Sequence, residues 1–335
     1  MYNSKIIGLG HYVPENIVTN DDLSKIMDTS DEWIQERTGI KERRWALAGD
    51  GQSTFTMGLE AAKKAISNSG IEKEDIDLIV FATLSPDYYF PGCGVQIQEM
   101  LDMRTVGAVD IRNQCSGFIY AMSVADQFIK TGMYKNILVV GSEFHSGGLD
   151  KTTRGRGVSV IFGDGAGAAV LSRTEDNTKG ILSSHLHSEG KHAEELTVIA
   201  PSIKHWVPQL LAENDENDES YFPYMNGTFV FKHAVVRFSE AIVEGLKTNN
   251  LQATDIDMLI PHQANLRISQ FVQKKFKLTD DQIFNNIQKY GNTTAASVII
   301  ALTEAWEKGK IKDNDLVVLA AFGSGFTWGS VIMRW

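Results

Sequence analysis

Ile71-Glu72-Lys73-Glu74-Asp75-Ile76-Asp77-Leu78-Ile79-Val80 returns 180 positions downstream as Leu251-Gln252-Ala253-Thr254-Asp255-Ile256-Asp257-Met258-Leu259-Ile260. Each copy follows a run with helix-like spacing of apolar residues, Phe55–Ser69 and then Val235–Lys247. Each Asp-Ile-Asp leads into a short apolar strand, and Gly70 suits the left-handed position past a helix end. A second pair stands at an offset of 177. Phe118–Gly132 has apolar residues at Phe118, Met122, Ala125 and Ile129, and Ala295–Gly309 has them at Ala295, Ile299, Leu302 and Trp306. That is the spacing of one buried helical face. Both stretches end at a glycine and lead into apolar strands, Ile137–Val140 and Leu316–Ala321. Two matches in the same order at nearly equal offsets point to a duplication. The expected fold is α/β: two related halves, 1–175 and 176–335, packed about a pseudo-twofold axis in layers of strands and helices.

The chain has 335 residues, 43% hydrophobic and 22% charged, enough to bury a substantial core. Its longest apolar run, Leu316–Phe322, is far shorter than the ~20 residues a membrane helix needs. Met1–Pro14 lacks the basic and apolar blocks of a signal peptide, so the expectation is a cytoplasmic protein without a membrane partner. Lys and Arg number 32 against 42 Asp and Glu, net −10, which disfavours nucleic acid but leaves room for a local basic patch. Two cysteines, Cys93 and Cys115, make neither a disulfide framework nor a four-ligand zinc site. No His-Glu-x-x-His pair or phosphate-binding Gly-Lys loop occurs, and no metal is expected.

Cys115 stands in Asp110-Ile-Arg-Asn-Gln-Cys115-Ser-Gly-Phe, between an apolar strand and a helix. A thiol there meets unpaired backbone N–H groups and the positive end of the helix dipole, both of which favour thiolate. A small core hydrophobe is the alternative reading, and the one assigned to Cys93. At the offset of 177, Cys115 falls on Asn292, at the start of the equivalent helix; Asn292 could also be a plain helix cap. His262 follows the strand Met258–Ile260, and strand ends are where ligands meet α/β sheets; a loop histidine bonded to backbone is the alternative. Gly163-Asp-Gly-Ala-Gly167 invites a dinucleotide reading and hence a nicotinamide oxidoreductase. The strand-like Ala168–Leu171 follows it where a helix is required, so a tight turn between strands is expected. The acidic run Glu213–Glu219 lacks calcium-loop spacing and reads as a solvated loop.

Cys115, His262 and Asn292, in this order on two repeated halves, resemble the β-ketoacyl-acyl-carrier-protein synthase III family, the thiolase-fold condensing enzymes that initiate bacterial fatty-acid synthesis. The resemblance runs almost end to end. It includes Asp28-Thr-Ser-Asp-Glu-Trp33-Ile-Gln-Glu-Arg37-Thr-Gly, Gly163-Asp-Gly-Ala-Gly, Pro261-His-Gln-Ala-Asn-Leu-Arg, Gly291-Asn-Thr-Thr-Ala-Ala-Ser and Ala321-Phe-Gly-Ser-Gly-Phe-Thr-Trp-Gly329. It implies a layered αβαβα structure with the nucleophile Cys115 in the first half and His262 and Asn292 in the second. Cys115 would take an acyl group from acyl-CoA, and decarboxylation of a malonyl thioester would supply the attacking carbanion. The backbone N–H groups of Cys115 and Ser324 would form the oxyanion hole, Ser324 standing where the family has glycine. Trp33 and Arg156 would sandwich the CoA adenine, Arg37 would face its phosphates, and Asn265 and Gly227 would hold the pantetheine arm.

The resemblance further implies acyl carrier protein docking at Lys232, Arg267, Lys274 and Lys275, a homodimer in which Phe90 reaches the partner's acyl pocket, and no cofactor, acyl-CoA being a substrate. Two features depart from the family pattern. Asn113-Gln114 and Ser116 replace alanines around the nucleophile, and Ile203–Tyr221 is longer than in the housekeeping enzymes. Both resemble specialised relatives of polyketide or secondary-metabolite synthesis that use longer or 3-oxo acyl partners, the alternative reading. Apolar residues in Ile203–Leu211 suggest a cap over the acyl entrance.

Overall fold

The computed structural model describes residues 2–202 and 218–335; most of the proposed cap, 203–217, lies outside the described residues. Two sheets carry the chain. The first contains β1 (Asn3–Tyr12), β2 (Leu78–Ala82), β3 (Gly107–Ile111), β4 (Asn136–Glu143) and β5 (Gly165–Thr174) in the order β1-β5-β4-β2-β3. The second contains β6 (Gly180–Ser188), β7 (Met258–Pro261), β8 (Leu316–Gly323) and β9 (Thr327–Arg334) in the order β6-β9-β8-β7. Mixed pairing repeats as well: β2 with β4 and β7 with β8 are parallel, the remaining corresponding pairs antiparallel. Among the described residues the counterpart of β3 is a single bridge between Leu259 and Ile283.

The helices that matter for the site are α1 (Asp31–Thr38), α2 (Thr54–Ser69), α3 (Cys93–Met100), α4 (Gly117–Lys130), α5 (Gly227–Thr248), α6 (Leu266–Phe276) and α7 (Ala296–Glu307). Strand side chains alternate between faces, and the alternation sorts the core into layers. Leu78, Val80 and Ala82 of β2 join Val317, Leu319 and Ala321 of β8 around α4 and α7. Ile79 and Phe81 face α2 and α3 on one outside, while Leu316, Val318 and Ala320 face α5 and α6 on the other. The result is helix, sheet, helix, sheet, helix, and it explains the continuously apolar strands: both their faces are buried. All four apolar positions predicted for α4 are fully buried; Trp306, the last of those on α7, is partly so.

The repeated turns match bond for bond. Asp77 N donates to Asn136 O (2.8 Å) and its carboxylate accepts from Asn136 N (3.0 Å); Asp257 N donates to Leu316 O (3.1 Å) and its carboxylate accepts from Leu316 N (2.7 Å). One expectation fails. Gly165 and Gly167 lie inside β5 rather than in a turn between strands. A Cβ on Gly167 would stand 2.5 Å from Ile299 of α7, so the glycine lets the central helix press on the sheet. Asp164 beside them is buried and accepts from Ala46 N, His145 N and Ser146 N, a structural role.

Candidate active site

Cys115 lies in the tight turn Gln114–Ser116 that opens α4, and the turn packs directly on the end of β8. A Cβ on Gly323 would come within 2.6 Å of the Cys115 Cβ and 3.0 Å of its sulfur, so only glycine lets the two segments touch. Burial, with the nearby Glu143 carboxylate second, pushes the thiol up to about 12, while the N–H groups of Ser324 and Cys115 and the Asn292 side chain pull it down. At rest the sulfur keeps its proton: the helix-start position does not outweigh desolvation. Ser324 has no positive φ, so serine fits where the family carries glycine, and its hydroxyl donates to Leu196 O.

Asn292 is 5% exposed and its own Oδ1 accepts from Thr294 N at 2.8 Å, which turns the amide nitrogen toward the sulfur. Its backbone equivalence with Cys115 does not hold. The left-handed residues that turn the chain into the central helices are Gln114 (φ 44) and Thr294 (φ 49), so Cys115 corresponds to Ala295. From the left-handed residue to the closing glycine, Gly132 or Gly309, the first helical segment runs one turn longer, which shifts the register at one end only.

His262 follows β7, its N–H bonded to Ala320 O at 2.8 Å, and burial lowers it to about 3, leaving a neutral ring. Its Nδ1 lies 2.5 Å from Ser297 Oγ, while that oxygen also accepts from Gln263 N at 3.3 Å. The hydroxyl has no other acceptor among the described residues, so its proton points at Nδ1 and the ring proton sits on Nε2. Nε2 is buried without a partner among the described residues, a donor aimed at open space.

That space is a cavity of about 590 Å³ lined by Cys115, His262, Asn292 and Gly323, and by Trp33, Arg37, Gly227, Lys232, Asn265 and Arg267. A neutral donor, a carboxamide, a thiol and two backbone N–H groups converge at one end of it. Such a set can form a thioester and stabilise two oxyanions. Trp33 on α1 is flanked by Arg37 (4.5 Å) and by Arg156 (5.2 Å), which also donates to Asp28 O. Here Arg156 rests on the indole itself, where the resemblance implies an adenine between them.

Two sequence-level family models match, 3-oxoacyl-[acyl-carrier-protein] synthase III over residues 109–190 and its C-terminal model over 246–335. The β-ketoacyl-[acyl-carrier-protein] synthase III of Shigella flexneri serotype 5b is 47% identical over 331 residues, covering 99% of each chain. The chain belongs to this family. The corresponding protein of Caldanaerobacter subterraneus subsp. tengcongensis is 45% identical over 98% of this chain and 97% of its own. The crystal structure of 3-oxoacyl-[acyl-carrier-protein] synthase III from Aquifex aeolicus VF5 superimposes with a TM-score of 0.90 at 42% identity, over 99% of this chain and 100% of that one. The fold is the thiolase fold of this family, and the activity is the acyl-transferring condensation that initiates fatty-acid synthesis. Neither a specialised polyketide enzyme nor an oxidoreductase is favoured by these relatives.

The remaining expected residues spread outward. Asn265 caps α6 through Arg267 N and donates to Arg37 O at 2.8 Å, tying the two sides of the cavity mouth together. Lys274 and Lys275 lie in the last turn of α6, away from the mouth, exposed and without ion pairs among the described residues. Phe90 is 82% exposed beside exposed Tyr88 and Tyr89. Cys93 starts α3, fully buried, with its thiol raised by burial to about 12.

Sequence reasoning missed three residues. Ser297 orients His262. Glu143, at the end of β4, is buried, accepts from Leu84 N, Ser85 Oγ and Thr83 Oγ1, and is pushed up to about 7 by burial. His145, just past the same strand, is 2.6 Å from Thr294 Oγ1. The strand-end rule that singled out His262 would have found Glu143 and His145 too.

Proposed function

We propose that the condensation runs through an acyl-Cys115 intermediate with the roles divided between the two halves, 1–175 supplying the nucleophile and 176–335 the donors. The convergence of Cys115, His262 and Asn292 on one end of the large cavity carries this reading. In the first step the Cys115 sulfur bonds to the acyl carbon, the bond to the CoA sulfur breaks, and the thiol proton leaves with CoA. The N–H groups of Cys115 and Ser324 hold the oxyanion, and no separate base is consumed. In the second step a malonyl thioester loses carbon dioxide, and His262 Nε2–H and the Asn292 amide donate to the enolate oxygen. The carbanion attacks the acyl carbon, the bond to the Cys115 sulfur breaks, and the 3-oxoacyl product departs as the thiolate takes up a proton from solvent.

The CoA adenine would enter between Trp33 and Arg156 once Arg156 leaves the indole, with Arg37 toward the phosphates and Asn265 and Gly227 along the pantetheine arm. Acyl carrier protein is the malonyl carrier, drawn to Lys232 and Arg267 at the mouth and to Lys274 and Lys275 beyond it. On a chain of net −10 such docking needs a local basic patch. A homodimer is proposed across β3, the open edge of the first sheet, beside exposed Phe90. No described helix is long and apolar enough to cross a membrane, and we place the protein in the cytoplasm. No cofactor enters the scheme.

The test is intact mass after incubation with acetyl-CoA. One acyl mass should be gained, and Cys115→Ala should abolish it; peptide mapping to Cys93 would overturn the assignment.

A further inference from the structure

Cys115 opens onto a second cavity, of about 340 Å³, which among the described residues shares Cys115, Phe162 and Leu196 with the first. His262 and Asn292 line the first alone; Gln114, His145, Thr294 and Arg112 line the second alone. An acyl group on Cys115 that vacates the larger cavity for the malonyl thioester has this space to enter.

The wall near the sulfur is not that of an alkyl slot. Gln114 is held next to Cys115 by a left-handed backbone (φ 44), and its side-chain amide has no hydrogen-bond partner among the described residues. His145 is 8% exposed and uses Nε2 on Thr294, which leaves Nδ1 without a partner among the described residues. Arg112, exposed beyond the end of β3, makes no ion pair or hydrogen bond through its guanidinium among the described residues. Leu196, Val198, Ile199, Pro201 and Pro223 supply apolar surface around these groups. A plain alkyl chain would strip water from Gln114 and His145 and return nothing, which costs free energy for every such group. A chain with an oxygen of its own would replace that water.

We infer that the acyl primer bears a hydrogen-bond-accepting oxygen beyond its thioester carbonyl, a hydroxyl or a carboxylate, received by Gln114 and His145. Arg112 pairs with the group when it is charged. The inference rests on Cys115 being the acylated residue and adds the chemical class of what it carries. Acylation itself is a balanced exchange: one carbon–sulfur bond forms, one breaks, and the proton passes from Cys115 to CoA.

The experiment compares acylation of the full-length protein by butyryl-CoA, 3-hydroxybutyryl-CoA and succinyl-CoA, read by intact mass over time. At least one oxygenated thioester should acylate about tenfold faster than butyryl-CoA, the worth of one to two neutral hydrogen bonds. Gln114→Ala should bring that ratio toward one. Arg112→Ala distinguishes the two sources: it should erase a preference for succinyl-CoA and spare one for 3-hydroxybutyryl-CoA. Butyryl-CoA reacting fastest, with ratios that neither variant changes, would overturn the inference and leave the Cys115 assignment standing. Failure of all three thioesters while acetyl-CoA still acylates Cys115 would overturn the inference alone; failure of acetyl-CoA as well would remove both.

Discussion

At the Asp-Ile-Asp turns the two halves use the same two bonds in the same places, Asp77 on Asn136 and Asp257 on Leu316. At the turns before α4 and α7 they do not: the first half puts a thiol on the helix start, and the second puts Ala295 there and sends Asn292 in from two residues ahead of the left-handed turn. The first pair of turns serves only to clamp neighbouring strands, so one solution suits both halves. The second pair meets at a single cavity, and on the proposed mechanism that cavity has use for one nucleophile and one set of donors. Each half also ends a strand near a buried, neutral histidine, His145 on Thr294 and His262 on Ser297, so both lean on the segment that carries Asn292.

The sharpest way to break this asymmetry is to remove the donors. His262→Ala and Asn292→Ala should still acylate Cys115 yet lose malonyl decarboxylation by about 100-fold or more, the scale of one lost oxyanion donor. Loss of acylation with normal decarboxylation, measured as CO2 release, would reverse the roles of the halves.

The paired histidines give the next effect. His145 and His262 are held at about 3, below their usual 6.5, because burial disfavours the charged ring. Their contribution to stability is complete above pH 6.5 and is lost as pH falls toward 3, by as much as about 1.4 kcal/mol per pH unit for each ring. Glu143, which burial raises to about 7, works in the opposite sense over this range, so melting temperatures should fall only modestly between pH 7 and 5, and His145→Gln should remove most of that fall. An unchanged slope would mean that only the second half's histidine is protected from protonation.

The matched turns predict a smaller, graded difference. Asp77 also accepts from Lys135 N and Arg104, whereas Asp257 is more exposed and binds one backbone N–H. Asp77→Ala should cost about 2 kcal/mol and Asp257→Ala about 1 kcal/mol in urea unfolding, with Cys115 acylation intact in both. Equal costs would show that the clamps are equivalent in energy as well as in geometry. Smallest is the surface effect. Lys274→Glu with Lys275→Glu should raise KM for malonyl carrier protein a few-fold at low salt and lose that effect at high salt.

Much of this was legible in the sequence. Period, repeat offset and closing glycines pointed to the apolar strands and the helices between them, because strands buried on two faces leave unbroken apolar runs and helices against a sheet leave one stripe. Cys115, His262, Asn292, Trp33, Arg37, Gly227 and Asn265, singled out by their motifs, all line the large cavity. Three things were not legible. The state of the Cys115 thiol depends on desolvation by elements distant in the chain. Ser297 orients His262 across 35 positions, a contact no local pattern encodes. The placement of Gly165 and Gly167 in β5 reflects how close α7 comes to that strand, a property of the packed layers rather than of the glycine spacing.

The central helix layer has a consequence for how the chain folds and unfolds. α4 belongs to the first half and α7 to the second, yet each is covered by both sheets, and Gly117 and Ala295 meet where the two helices begin. Neither half can bury its own helix alone. A fragment ending near residue 175 would leave the inner face of α4 in water and should aggregate rather than fold. In the intact protein the amide protons of α4 and α7 should exchange with solvent only through global opening, and at one common rate, because no partial unfolding frees one helix while the other stays covered.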